Sequence, residues 1–218
     1  MDAALFDWDG TLANTLPIVV KSFQTVLPRV GCHVSDDFIL KRIGIGDRRL
    51  FIETLRQGKV RFDDALLTRL VREKNKLQID MIAETALLPG AVDLLNSLKR
   101  KIKVGLATMS SEPLIRALLE AKGLDDCFEA IVSADEVNYP KPDPEVFLKC
   151  ASKLNVRPEK CVVFEDAIFG VQAAKRAGMA CIAVATGAYS NDRLREVGAD
   201  LLISSLKEKD IIFSFVFG

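Results

Sequence analysis

Short apolar runs alternate with amphipathic segments of helical period along most of this chain. Runs at 3–7, 104–108, 130–133, 161–165, 181–185 and 201–204 have the length and branched content of buried strands. Between them, segments at 92–100, 113–121, 144–154, 167–177 and 192–197 carry apolar positions at helical spacing. Pro113 and Pro144 open two of these helices, and Gly123 and Gly178 stand where a left-handed residue ends one. The alternation predicts an α/β fold, a doubly wound parallel sheet with helices on both faces. In such sheets ligands bind beyond the carboxyl ends of the strands.

One stretch breaks the rhythm. From about Leu16 to Ala86 no strand pattern occurs, only amphipathic helices near 18–27, 47–55 and 64–81. This reads as a helical domain, 16–85, inserted after the first strand of a core made of 1–15 and 86–218. Pro17, Pro89 and Gly90 suit the joins as turn formers. An insertion just past the first strand can act as a lid. The apolar run at 211–217 is too short for a membrane span and is expected to pack back onto the core, with a dimer contact as the alternative.

Thirty basic residues balance thirty acidic ones, so no global field draws the chain to nucleic acid or an anionic membrane. The five cysteines are scattered, with no paired spacing, which points to reduced thiols in a cytoplasmic protein rather than a disulfide frame or a zinc site. His33 is the single histidine and reads as a loop residue, which argues against histidine metal clusters and Ser-His-Asp catalysis.

Candidate chemistry collects at strand ends. The first run closes in Asp7-Trp8-Asp9-Gly10-Thr11. In extended chain, positions i and i+2 share a face, so the two carboxylates stand side by side. Like charges that close are costly without a cation or a shared proton, and hard oxygen ligands suit Mg²⁺. A plain strand ending in an Asp-Gly turn needs only one acid. After the run at 104–108 comes Thr108-Met109-Ser110-Ser111, whose hydroxyls and free N–H groups can hold a phosphate or merely cap a helix. Lys141, set among Pro140, Pro142 and Pro144, sits in a stiff loop that either presents its ammonium group or is simply solvated. Glu165-Asp166 ends another buried run, with one acid free to reach a metal while the other serves behind it; a helix cap and a surface charge is the bland account.

The four signals, in this order and each at a strand end, resemble the haloacid dehalogenase superfamily, specifically its phosphatases with a helical cap after the first strand. Asp7-x-Asp9-Gly10-Thr11-Leu12 matches that superfamily's first motif, Thr108 its second, Lys141 its third, and Glu165-Asp166 with Gly170 and Ala177-Gly178 its fourth. The resemblance covers essentially the whole chain and implies a Rossmann-like core that transfers phosphoryl groups through an aspartyl-phosphate. It implies Asp7 as nucleophile and Asp9 as the acid and base, with the Asp9 carbonyl, Asp7 and Asp166 at Mg²⁺ and Glu165 outside them. Thr108 and Lys141 are then expected to offset phosphoryl charge, and Met109 and Ser110 to line the substrate site.

Dehalogenases of the same fold lack an acid two residues after the nucleophile, so Asp9 argues for a phosphate ester. Sugar phosphomutases of the β-phosphoglucomutase type share all four motifs but carry a histidine about ten residues past the second acid, where this chain has Ile18-Val19-Val20. A non-catalytic domain that binds phosphate or a partner is the third reading. The chain departs from the family's usual Asp-Ser or Asp-Thr at the hinge, having Asn14-Thr15. In the cap, Gly44 and Gly46 allow close backbone approach to substrate and Arg48 or Arg49 could clamp an anion, or the segment is a simple turn with a solvated basic face. The expected substrate is a small phosphorylated metabolite, a sugar, polyol or glycolate phosphate, bound by a monomer or homodimer.

Overall fold

The computed structural model describes residues 1–218. In chain order its elements are β1 (Ala3–Phe6), β2 (Ala13–Asn14), α1 (Leu16–Val26), α2 (Asp36–Leu40), α3 (Asp47–Gln57), α4 (Asp64–Asp80) and β3 (Ala86–Leu87). There follow α5 (Ala91–Lys99), β4 (Lys103–Ala107), α6 (Glu112–Lys122), β5 (Ala130–Val132), α7 (Glu145–Lys153) and β6 (Cys161–Glu165). The chain closes with α8 (Ile168–Arg176), β7 (Ala180–Val184), α9 (Asn191–Glu196), β8 (Leu201–Ile203) and α10 (Lys209–Phe217). The six main strands form one sheet in the order β5-β4-β1-β6-β7-β8, all pairs parallel. This is the doubly wound α/β fold expected from the alternation, with every main strand within a residue of its predicted bounds.

Strand alternation divides the interior in two. Ala4, Phe6, Leu106, Phe164 and Ile182 face one apolar cluster, whereas Ala3, Leu5, Ala107, Val163 and Cys181 face the other. The Phe6 and Phe164 rings stack at 4.3 Å across neighbouring strands. β1 lies centrally, with Phe6 opposite Leu106 on one side and Phe164 on the other. Successive strands leave β1 toward β4 and β5, then return to β6 and run outward the other way, so the order reverses at β1/β6. That reversal opens the crevice where ligands of such sheets bind.

Helices α1–α4 gather around a third apolar cluster of their own, with Phe23 and Phe51 in contact at 4.4 Å. Three of these helices follow the predicted periodicity; α2 has five residues and no such signal, and starts where Ser35 caps the backbone N–H of Phe38. The connections to the sheet are two short strands, β2 and β3, paired antiparallel. Pro17 lies in the first turn of α1 rather than in a turn before it, a position its fixed φ and missing N–H suit.

The C-terminal run is a helix, not an extended tail. Ile212 and Val216, one turn apart, enter the same cluster as Phe6 and Phe164, and the chain's N-terminal ammonium donates to the Val216 carbonyl at 2.7 Å. Ile211 and Phe217 remain exposed. All five cysteines are free thiols, His33 is exposed outside any helix or strand, and no helix is long and apolar enough to cross a membrane.

Candidate active site

Three strand ends and one loop converge at the crevice. β1 stops at Phe6, yet the Asp7 N–H still bonds the Phe164 carbonyl at 3.1 Å, which holds the acid's backbone against β6. The chain then turns through Gly10, at φ +79°. Asp7 and Asp9 therefore reach one cavity through a tight loop rather than through the pleat of a strand. Beside them, Glu165 ends β6 and Asp166 follows it.

Lys141 enters from the loop before α7 and is completely buried. Its ammonium group donates to Asp7 Oδ1 at 2.7 Å, to Glu165 Oε1 at 2.6 Å and to the Ala107 carbonyl at 3.4 Å. Burial alone would push this lysine down, but Asp7 and Glu165 overcome it and hold it charged, above its ordinary range. The solvated-loop account of Lys141 does not survive. Glu165 is saturated: its second oxygen accepts the N–H groups of Asp166 and Ala167 at 2.9 and 3.0 Å. A Cβ on Gly170 would lie 1.8 Å from Glu165 Oε1, so only glycine lets the carboxylate rest against the start of α8.

One lysine does not balance this much negative charge. Asp7, Glu165 and Asp166 each place an oxygen within 4.8 Å of the others, all buried. Burial pushes Asp7 up to about 7 against the pull of Lys141, with Glu165 and Asp9 adding to the rise. Asp166 is pushed well above the usual range by burial and then by Glu165 and Asp7, opposed by a 3.1 Å bond from the Thr11 hydroxyl. Asp166 Oδ2 accepts no hydrogen bond and occupies space that a Cβ at Gly10 or Gly187 would fill, at 2.2 and 2.4 Å. Free carboxylate oxygens in a buried, charge-deficient cradle fit a divalent cation.

Asp9 stands outside that trio. Its two oxygens accept the Thr15 hydroxyl at 2.6 Å and the Ser110 hydroxyl at 2.8 Å, from the hinge and from the turn after β4. Thr108 is fully buried, and its hydroxyl accepts the Ser110 N–H at 3.1 Å. Asp7, Asp9, Met109, Ser110, Gly44 and Gly46 line one small cavity under the helical segment. Arg48 does not join them: its guanidinium engages Asp64, on a neighbouring cavity. Arg49 pairs with Glu53 at 3.2 Å and reaches the Lys141 carbonyl at 3.4 Å.

Several site residues escaped the sequence reading. Asp47 and Lys74 line the same small cavity from α3 and α4. Gly187 lies against Asp166, while Thr11 of the first motif and Thr15 of the hinge donate to Asp166 and Asp9, roles their positions had not announced. Gly187 had a usable signal, since it follows a predicted strand end; the Asp47–Lys74 pairing had none, being 27 positions apart on separate helices.

A sequence profile of haloacid dehalogenase-like hydrolases matches residues 4–184. The chain belongs to that family. Fructose-1-phosphate phosphatase YqaB of Escherichia coli (strain K12) is 33% identical over 83% of this chain and 94% of its own length. Hexitol phosphatase B of the same organism is also 33% identical, over 96% of each chain. The crystal structure of a β-phosphoglucomutase from Clostridium difficile superimposes with a TM-score of 0.88 at 28% identity, over 98% of this chain and 96% of that one. This haloacid dehalogenase-like hydrolase is accordingly an enzyme, and its named relatives place it among the phosphoric monoester hydrolases.

Proposed function

We propose that the protein is a Mg²⁺-dependent phosphatase of the cytoplasm that hydrolyses a small sugar, polyol or glycolate phosphate through an aspartyl-phosphate on Asp7. The observation that carries this reading is the fully buried Lys141 bridging Asp7 and Glu165. A carboxylate approaches a phosphate dianion only where positive charge meets both, and Lys141 is already in contact with one oxygen of Asp7 while the other accepts no hydrogen bond.

Asp7 and Asp166 would hold Mg²⁺ with the Asp9 carbonyl, while Glu165 stays behind them as the partner of Lys141. When bound, the cation supplies charge compensation for the phosphoryl group. The free oxygen of Asp7 attacks phosphorus and the bond to the leaving alcohol breaks. Asp9 hands that alcohol a proton, then removes one from the water that hydrolyses the aspartyl-phosphate and restores Asp7. Ser110 and Thr15 fix the Asp9 carboxylate for both transfers. Thr108 and the Ser110 turn receive the phosphoryl oxygens. Residues 16–85 act as a cap over the cavity.

The β-phosphoglucomutase neighbour brings forward a mutase reading. Val19 lines the cavity in the neighbourhood where such mutases are expected to carry histidine, and it offers no proton. Phosphate release from a panel of small monoesters, with Mg²⁺ and with chelator, tests the proposal. Metal-dependent release that vanishes in Asp7→Asn supports it. Isomerisation of a hexose phosphate without release sinks it.

A further inference from the structure

The cavity that contains Asp7 and Asp9 is about 20 Å³, room for a few atoms at most. A second cavity, of about 510 Å³, opens beside it between the helical segment and the sheet. The two share Gly46, Asp47 and Met109. With the phosphoryl group against Asp7, the alcohol of any ester must extend past Asp47 into the larger space.

Asp47 is paired with Lys74, whose ammonium group lies 2.6 Å from Oδ1; the two side chains are 16% and 2% exposed. One oxygen of Asp47 and two N–H donors of Lys74 have no hydrogen-bond partner in the protein. In the wall of the larger cavity, Asn75 Oδ1 is buried without a donor, although its amide nitrogen bonds the Ser111 hydroxyl at 3.0 Å. Asp47 and Lys74 therefore line the small cavity with hydrogen-bonding capacity to spare, which a hydroxylated ligand can use. At the throat the one cation, Lys74, is already taken by Asp47; farther out Arg48 pairs with Asp64, and Arg49 shares Glu53 with Arg42. Asp135 adds a further acid to the wall.

We propose that Asp47, paired with Lys74 at the throat between the two cavities, is the specificity-determining residue of this enzyme, and that it selects phosphate monoesters of uncharged polyhydroxylated alcohols against esters carrying a second anionic group. This rests on the phosphatase reading above and narrows it. The carboxylate accepts from one substrate hydroxyl while Lys74 donates to its neighbour. A carboxylate or second phosphate at the same place meets Asp47, whose partner Lys74 is already paired. Removing the negative charge alone frees Lys74 and reverses the choice.

The test compares a hexitol monophosphate, a hexose bisphosphate and 2-phosphoglycolate on wild type, Asp47→Asn and Asp47→Glu. Wild type should prefer the hexitol ester by tenfold or more in kcat/KM. Asp47→Asn should shift the ratio toward the two anionic esters by at least tenfold, chiefly through KM, and Asp47→Glu should restore the original order. Calorimetric binding of the same three esters to Asp7→Asn, with Mg²⁺ present, reads the selection without turnover. If wild type releases no phosphate but that variant still binds the hexitol ester tenfold more tightly, the phosphatase reading fails and the selectivity stands. A wild-type preference for either anionic ester, equal binding of all three or no binding of any, or an Asp47→Asn that lowers every kcat/KM by one common factor overturns the proposal.

Discussion

Glu165 holds Lys141 in place: the carboxylate oxygen lies 2.6 Å from the ammonium nitrogen, and both side chains are shut off from solvent. The lysine is in turn 2.7 Å from Asp7. Glu165 thus acts on Asp7, the proposed nucleophile, at one remove, with its other oxygen bound to two backbone N–H groups. Glu165→Gln keeps the shape, but both sets of partners are donors and the amide has one acceptor oxygen, so one set is left facing an N–H. The expected result is a fall of roughly 10–100-fold in kcat, the range for outer partners of a reactive group, with little change in KM. Unchanged kcat would remove Glu165 from the account.

Gly187 tests the cradle around Asp166. A Cβ there would lie 2.4 Å from Asp166 Oδ2 and 2.5 Å from the Asp166 carbonyl oxygen, and a backbone atom cannot swing aside as a side-chain tip can. Gly187→Ala must therefore displace the carboxylate. Titrating activity with Mg²⁺ should show the half-saturating concentration raised by about tenfold or more. An unaltered titration in a folded variant would mean that Asp166 is not held where the metal needs it.

Ile212 separates stability from chemistry. It is fully buried in the sheet-side cluster, on a helix far along the chain from the four motifs. Truncation to alanine removes three carbons from a close-packed interior and should cost about 2–4 kcal/mol. Denaturant unfolding measures that loss, and kcat per folded molecule should stay at the wild-type value. A proportional loss of kcat would show that α10 also shapes the site.

The elements legible in the sequence were those whose signal is local. Alternation at 3–7 or 161–165 needs only neighbouring residues to show a buried strand, and the expected strands fall on the observed ones. Asp7, Thr108 and Glu165 follow or end such strands, where the fold itself brings them together, whereas Lys141 reaches them from the proline-flanked loop before α7. The helical state of the last residues was not, since apolar residues on nearly all sides erase the helical stripe, and tertiary contact with the sheet decides the conformation. Arg48 is a different case: its glycine-rich loop suggested an anion-binding role, and the structure places it in the wall of the larger cavity beside Asp64, a partner distant in sequence. Asp47 and Lys74 complete the pattern: nothing in either residue's neighbours announces the other.

The carboxylate cluster ties metal binding to pH. In the metal-free protein Asp7 is raised from the ordinary carboxylate value of 3.8 to about 7, and Asp166 moves the same way. A carboxyl group raised on folding binds its proton more tightly in the native state than in the unfolded one. Between the unfolded and folded values the native state holds more protons, so metal-free stability falls as pH rises from about 4 to about 7. Below that window both states are protonated and the dependence disappears; above it the full penalty is present. A divalent cation reverses the penalty because it needs the ionised forms, and it must expel protons to bind at lower pH. The thermal midpoint of the metal-free protein should therefore decline across this range, while the increase produced by saturating Mg²⁺ should be small near pH 5 and grow toward pH 8. Calorimetric titrations in two buffers of different ionisation enthalpy should count protons released at pH 6 and close to none at pH 8.5. A Mg²⁺-induced stabilisation that is the same at every pH would show that the cation does not bind through Asp7 and Asp166.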